Sequence, residues 1–507
     1  MSVRFRFEPI ADWPPLAWLA MCRRDSSEIV IWHGQRVEVA DEWFCEAAWA
    51  GPYEDGGFDR TDIVAGSGGR RRAGTVTFVG SGSTIDRLQV SRQEDAVYVS
   101  NSLLCLIATL GIELDPCYPG YYSDFRTVVA GLDAFQRRVR ILQGDLELCY
   151  FDNLVWDGAS LEVRRKPWPD RDFSGFEPYR TFLVSVTAEL VENARSLARR
   201  FPYRTIGTVS TGYDSPAVTA LAKEAGNREV FSFRTARGGF NDCGDRIAAH
   251  LGLDCTILDR DAWRARALPE VPFLAANAYG EEMHFSGAED LLRGRVVFTG
   301  FHGGKIWSKP DKGLGPDIVR ADPSGLSLTE YRLWVGFLNC PVPFWGAREY
   351  RQIHAITHAD EMKPWDVSSQ YSQPLSRRIA EEAGVPREFF GQVKRAASVV
   401  LWNRAESEAF LTERSLADYR AWLRRLSGQF VRSGSLPPLW AERIDDARTA
   451  IVGRVNNLTE RSASRLNNMP GLWRLTMHRP PPLFHFLFPW AVHIAKQRYG
   501  RVPAHTP

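Results

Sequence analysis

Apolar and polar positions divide the chain into three unlike stretches. Up to about residue 170, GTVTFVG (74–80), AVYVSN (96–101), RRVRILQG (137–144) and LELCYFDN (146–153) alternate or run apolar between Gly, Asp and Ser turns, which predicts β-strands. LLCLIATLG (103–111) predicts one short helix, and GSGGRRRAG (66–74) an exposed hairpin loop with Arg70, Arg71 and Arg72 in water. That glycine-rich segment lacks the strand-to-helix setting of a phosphate loop. A polar, Pro-containing stretch near 157–176 reads as a linker. Beyond it, PYRTFLVSVTAELVENARSLARR (178–200) repeats apolar residues every third or fourth position, the period of a long amphipathic helix.

From 204 to 310 the period switches back and forth. RTIGTVS, EVFSFRT, DCTILD and RVVFTG read as strands, with PAVTALAKEAG and CGDRIAAHLG as helices between them. Strands separated by helices of that length imply a parallel sheet with right-handed crossovers. Residues 326–400 read mainly helical around a turn-rich centre, NCPVPFWGARE (339–349). Residues 401 to about 465 read as amphipathic helix rich in Arg and Glu. The tail, 469–500, is aromatic, basic and broken by Pro, and is expected to dock on the body, with contact to a membrane surface or to a partner as the alternatives. The expected organisation is therefore a β-rich domain over 1–170, an α/β domain over 177–400 and a helical extension over 401–507. No internal repeat is evident.

Composition narrows the function classes. The formal net charge is +2, from 63 basic and 61 acidic residues, so bulk charge does not suggest a nucleic-acid partner. The eight cysteines are scattered, with no CxxC, which disfavours a zinc ribbon or a thioredoxin-type motif. Single cysteines of this kind suit a reducing compartment. There is no run of eighteen apolar residues to span a membrane. Glu8, Asp12 and the Pro14-Pro15 pair interrupt the apolar stretch near the amino terminus, unlike a signal peptide. The expected location is cytoplasmic. The sequence leaves room for self-association into a homo-oligomer.

The most informative chemistry lies where the strand RTIGTVS enters the helix PAVTALAKEAG. Ser215 suits an N-cap, Pro216 the first helical position and Gly226 a C′ glycine. Such a corner gathers free backbone N–H groups and the positive end of a helix dipole. Gly212 lets the backbone approach a ligand, and Ser210, Thr211 and Ser215 add hydroxyls. This describes a cradle for phosphate. Asp214 would repel the anion unless a cation stood between them, and magnesium bridges carboxylate and phosphate. An ordinary capped strand-to-helix turn stays open as the alternative. The GxxxxGK spacing of a Walker loop is absent.

Ser210-Thr211-Gly212-Tyr213-Asp214-Ser215 resembles the SGGxDS pyrophosphate loop of the asparagine-synthetase-like ATP pyrophosphatases, with Thr211 in place of the first Gly. Other segments fall in that family's order. EVFSFRT (229–235) matches its second strand, which frames the adenine. Asp242, Asp245 and AAHLGLDCTIL match its acidic, helical run and third strand. VVFTGFHGGKIW (296–307) falls where the family has a Ser-Gly-x-Gly-x-Asp-Glu loop. NCPVPFWGARE resembles the RVPFLD turn, and SQPLSRRIAEEAGVPREFFGQVKRAAS (372–398) the later segment with a lysine loop. The similarity spans about 177–400. AVYVSNSLLCLIATLG and RRVRILQG also look like the late part of the family's glutaminase-type (Ntn) sandwich.

The resemblance implies an ATP site made by Val209, Ser210, Thr211, Gly212, Tyr213, Asp214, Ser215, Phe233, Thr299 and Gly300, with Asp214 as the magnesium ligand. It places Lys394 over the phosphates, and Lys394 and Lys305 as the catalytic cations. Two departures bear on activity. Ser2 stands where a glutaminase domain has its catalytic cysteine, and Gly304-Lys305 where the family has Asp-Glu. The first points away from glutamine hydrolysis and toward the family's β-lactam synthetases, which have a degenerate first domain. The second leaves three options: another acid (Asp242, Asp245 or Asp311) replaces the lost one, Lys305 neutralises pyrophosphate, or ATP binds without turnover. The expected activity is an ATP-dependent ligase joining a small-molecule carboxylate to an amine. The alternatives are an inactive nucleotide-binding or scaffolding homologue and an ammonia-using asparagine synthetase. Tyr279, Glu281 and Glu282 sit where the family gathers substrate-facing residues, although a solvated helix face would read the same way.

Overall fold

Twelve strands precede residue 170: β1 Arg4–Pro9, β2 Trp18–Arg23, β3 Glu28–His33, β4 Glu38–Ala40, β5 Trp43–Trp49, β6 Val64–Arg72, β7 Thr75–Val79, β8 Arg87–Arg92, β9 Ala96–Ser100, β10 Glu147–Tyr150, β11 Asn153–Trp156 and β12 Leu161–Arg164. They form two six-stranded sheets in the computed structural model, ordered β1-β3-β2-β9-β8-β10 and β12-β11-β7-β6-β5-β4. All pairs are antiparallel except β1 with β3. The structure describes residues 3–24, 26–310, 313, 315–367, 371–400, 410–434, 436–441, 443–444 and 482–500. Ser2 and Asp311 lie outside the described residues.

The two sheets share an apolar core. Trp18 of β2 stacks on Phe78 of β7 at 6.1 Å and donates its indole N–H to Ser67 of β6. The segment GSGGRRR is therefore strand and not the hairpin loop its composition predicts. A Cβ at Gly66 would stand 2.0 Å from the Glu46 carbonyl, and one at Gly68 2.3 Å from that of Phe44. Close approach of β5 demands those glycines. The three arginines are not free in water either: Arg70 and Arg71 pair with Glu42, and Arg72 with Asp59. RRVRILQG makes isolated bridges only, Arg138 with Glu147 and Ile141 with Leu114.

The amphipathic helix Phe176–Arg195 buries Tyr179, Leu183, Val186, Leu190 and Val191, the stripe its periodicity predicts. Five parallel strands follow: β13 Arg204–Thr208, β14 Glu229–Phe233, β15 Asp254–Leu258, β16 Arg295–Thr299 and β17 Leu338–Pro341. Their order, β15-β14-β13-β16-β17, reverses between β13 and β16. Crevices at such reversals are where open parallel sheets hold ligands. β17 is the strand the sequence conceals, because its Asn339, Cys340 and Pro341 read as turn. It forms a buried edge, where a proline is tolerated at the strand end.

Buried ion pairs and hydrogen bonds tie the sandwich to the helix Leu328–Val335, which precedes β17. Glu46 of β5, fully buried, accepts from both terminal nitrogens of Arg332, at 2.6 and 3.2 Å, and from Ser67 and Asn101. Arg332 Nε pairs with Asp86 at 2.9 Å. Glu330 takes the first backbone N–H groups of the helix Leu103–Leu110. At the carboxyl end, the helix Leu487–Ala495 buries Leu487, Phe488 and Trp490, so this part of the tail docks on the body as expected. The Trp490 indole donates to Asp418 on the helix Glu413–Arg432. No described helix is long and apolar enough to cross a membrane.

Candidate functional site

A cavity of about 320 Å3 opens at the carboxyl ends of β13, β14 and β16. Of the residues singled out from the sequence, Val209, Ser210, Gly212, Tyr213, Asp214, Ser215, Phe233, Thr299, Gly300, Lys305 and Lys394 all line it. Thr211 does not. Its N–H and hydroxyl both bond to Asp242 Oδ1, at 3.1 and 2.5 Å, which pins the loop.

The loop's geometry differs in detail from a simple cap. The helix spans Asp214–Glu224, so Ser215 already lies in its first turn. Its hydroxyl reaches back to the Ser210 N–H at 2.9 Å and pairs with the Ser210 hydroxyl at 2.9 Å. Ser215 thus closes the loop on itself rather than capping the helix. Gly212 makes no use of the left-handed region, and a Cβ there would touch nothing closer than Ser210 Oγ at 3.5 Å. Gly226 is left-handed, with φ +96°, as a C′ glycine should be. Tyr213 sends its phenol inward, where Arg377 donates to it at 2.8 Å, and Thr299 gives its hydroxyl to Asn339.

Opposite this loop the turn after β16 comes very close. A Cβ at Gly300 would stand 2.9 Å from Asp214 Cβ, and one at Gly303 2.6 Å from Asp214 Oδ1. Only glycines permit this approach, and it presses the Asp214 carboxylate against the Gly303-Gly304 backbone. Lys305, 5 % exposed, lines the wall beside them. Lys394 is exposed and comes from a different element, a strap over residues 391–399. The strap is held along its length. The Gly391 N–H donates to the Thr211 carbonyl at 2.8 Å, Arg237 N–H to Ala396, the Arg260 side chain to Ala397 and Ser398, and Val399 N–H to Glu281. Gly391 is left-handed, and a Cβ there would lie 2.3 Å from the Tyr213 ring.

Magnesium takes oxygen ligands, commonly one or two carboxylates completed by phosphate oxygens. Among the described residues no group of three His, Cys, Asp or Glu side chains could hold a metal by itself. Asp214 can serve as a single carboxylate whose ion is completed by phosphate, and the residues fit the group in that limited sense. Of the proposed replacement acids, Asp242 lines the cavity but gives one oxygen to Thr211. Asp245 is exposed and lies off the cavity lining.

Glu282, singled out from the sequence with Tyr279 and Glu281, also lines the cavity. His284, His302, Asp322, Tyr371 and Gln373 line it without having been singled out, because they come from several segments and no spacing announces them. Glu282 is buried and accepts from Gly325 N–H at 2.6 Å and from Ser327, a structural arrangement and not a solvated helix face. Burial pushes the pKa of Glu281 up to about 8, with Glu282 and Asp322 adding to the effect and Arg237 and Arg126 opposing it. The native chain therefore keeps a proton that the unfolded chain loses near pH 4.5. Stability should fall as pH rises from about 4.5 to about 8, then level off. Thermal melts of Glu281→Gln should lack that decline, and a wild-type slope in the variant would assign it elsewhere. Tyr279 packs at a tilt on Tyr122 of the helix Tyr121–Arg126, ring centres 4.2 Å apart, and donates to its carbonyl.

No protein-family model matches the chain, and no curated protein matches it either.

Proposed function

We propose that the protein is an ATP-dependent carbon–nitrogen ligase of the asparagine-synthetase-like kind, with a first domain of degenerate glutaminase type that hydrolyses no glutamine. The observation that carries this reading is the convergence of the loop 209–215 (Thr211 aside), the turn 299–305 and Lys394 on one cavity at the sheet's reversal point. In it, ATP lies with its adenine toward Phe231 and Phe233 and its phosphates over the loop. A substrate carboxylate attacks the α-phosphate in line. Pyrophosphate leaves, an acyl-adenylate remains, and an amine then displaces AMP to form the amide or lactam. Magnesium, held by Asp214, would supply charge neutralisation at the phosphates. Ser210, Gly212 and Ser215 hold and orient the leaving group, while Lys305 and Lys394 meet the negative charge that grows on it. Confinement of both reactants in one cavity adds the advantage of proximity.

The test is magnesium-dependent pyrophosphate release across a panel of carboxylic acids, paired with calorimetry of ATP binding. Pyrophosphate release with one of the acids supports the ligase. The Gly304-Lys305 pair, in place of two acids, favours a second reading, a nucleotide-binding protein without turnover. ATP uptake without pyrophosphate release from any acid would support that reading, and no uptake at all would sink both. Lys394→Ala should lower kcat by roughly tenfold while the ATP Kd stays within about twofold. A loss confined to affinity would make Lys394 a ground-state contact only.

A further inference from the structure

His302 stands out within the cavity wall. It adopts φ +76° and ψ −15°, a left-handed conformation that a side chain with a Cβ rarely takes. Its ring stacks on Phe344 at 4.4 Å and 17°. Both ring nitrogens are shielded from solvent, yet neither has a hydrogen-bond partner among the described residues. Buried polar groups are nearly always paired, and backbone strain of this kind gathers where ligands are held. Burial and the nearby Arg320 push its pKa down to about 3, so the ring stays neutral, with one N–H to donate and one lone pair to fill.

Position decides what it meets. Phe231 and Phe233 line the β14 side of the cavity, whereas His302 and its stacking partner Phe344 lie on the side of β16 and β17. The loop 209–215 stands between them. Of the charged groups that act on the imidazole, Arg320 and Lys305 oppose its protonation and Asp322 favours it, and all three line the cavity; two cations against one carboxylate suit an anionic or strongly accepting group. We infer that His302 donates its ring N–H to the carboxylate that is to be activated, fixing the acyl side of the reaction opposite the adenine side. The inference rests on the ligase reading and assigns that reading its second substrate's position.

The probes are 5′-O-sulfamoyladenosine and its N-acetyl derivative. The second adds the acyl carbonyl oxygen that would face His302 and, because its nitrogen is acidic, a negative charge, so the reading is the change made by the variant. Calorimetry on the full chain should show the acetyl compound binding about tenfold more weakly to His302→Gly than to the wild type, the value of one well-made hydrogen bond. Glycine accepts the same backbone conformation. The parent compound's affinity should change by less than about twofold, and circular dichroism should show an intact fold. An acetyl compound that binds the variant as tightly as the wild type, or a parent that weakens equally, overturns the assignment of His302. Failure of both compounds and of ATP to bind the wild type overturns the nucleotide reading itself, and this inference with it.

Discussion

Replacing Asp214 by alanine should lower magnesium-dependent pyrophosphate release by about a hundredfold or more, with the fold intact. The effect follows from placement. The carboxylate lies at the start of the helix Asp214–Glu224, against Gly303 and Gly304, on the wall of the cavity. Removing one preorganised group that handles transition-state charge typically costs 10²–10³ in rate, or about 2.7–4 kcal/mol. The expected cost in stability is far smaller. Asp214 is the only acid in the first turn of its helix, and a favourable dipole contact there is worth about 0.3–1 kcal/mol. In a protein of this size that corresponds to a melting shift of no more than a few degrees. Asp214→Asn, which keeps the shape and loses the charge, should behave like the alanine variant in turnover. Turnover at the wild-type rate in either would remove Asp214 from the reaction.

The largest loss of stability is expected from Arg332→Met. The guanidinium is 1 % exposed and satisfies two buried carboxylates at once, Glu46 and Asp86, from the sandwich side of the molecule. Breaking a buried pair by deleting one partner typically costs about 3–5 kcal/mol, because the remaining charge has no water. Burial already pushes the Glu46 pKa up, and Arg332 pulls it back. Without Arg332 the carboxyl would bind a proton more readily in the native state. The deficit should therefore be largest near neutral pH and shrink as pH falls toward the ordinary carboxylate range. The triple variant Glu46→Gln, Asp86→Asn, Arg332→Met should recover part of it, since all three charges are then gone. Denaturant titrations at two pH values decide this, and a single variant as stable as the wild type would mean that water reaches the pair.

How far the sequence disclosed this arrangement varies with the kind of signal. The strand, loop and helix over 204–226 are legible because period, proline and glycine agree within one short window. Lys305 and Lys394 lie far apart in the chain yet line one cavity, and only the order of segments along the resemblance brings them together. Where reading failed, tertiary contact outweighed local preference. GSGG looks like a loop until the closeness of the Phe44 and Glu46 carbonyls is known. Asn339-Cys340-Pro341 looks like a turn, but its backbone completes the sheet beside β16. Ser215 has the chemistry of a cap, and the Ser210 N–H claims it instead. His302 left no trace at all, because φ at one residue depends on the approach of Gly300 and Gly303 to Asp214.

The strap over 391–399 is fastened through its main chain: Gly391 and Val399 give their N–H groups, and Ala396, Ala397 and Ser398 their carbonyls. Apart from Gly391, none of these ties reads the identity of a strap side chain. Among the described residues, side chains add ties only at Gln392, which donates to the Arg387 and Phe390 carbonyls, and at Arg395, which donates to that of Asn241. The exposed Val393 can therefore be exchanged without rerouting the path it rides on. Selection for a new reactant would find tolerated change cheapest there, so divergence among descendants of this chain should concentrate at Val393 while Lys394 and the loop beneath it stay fixed.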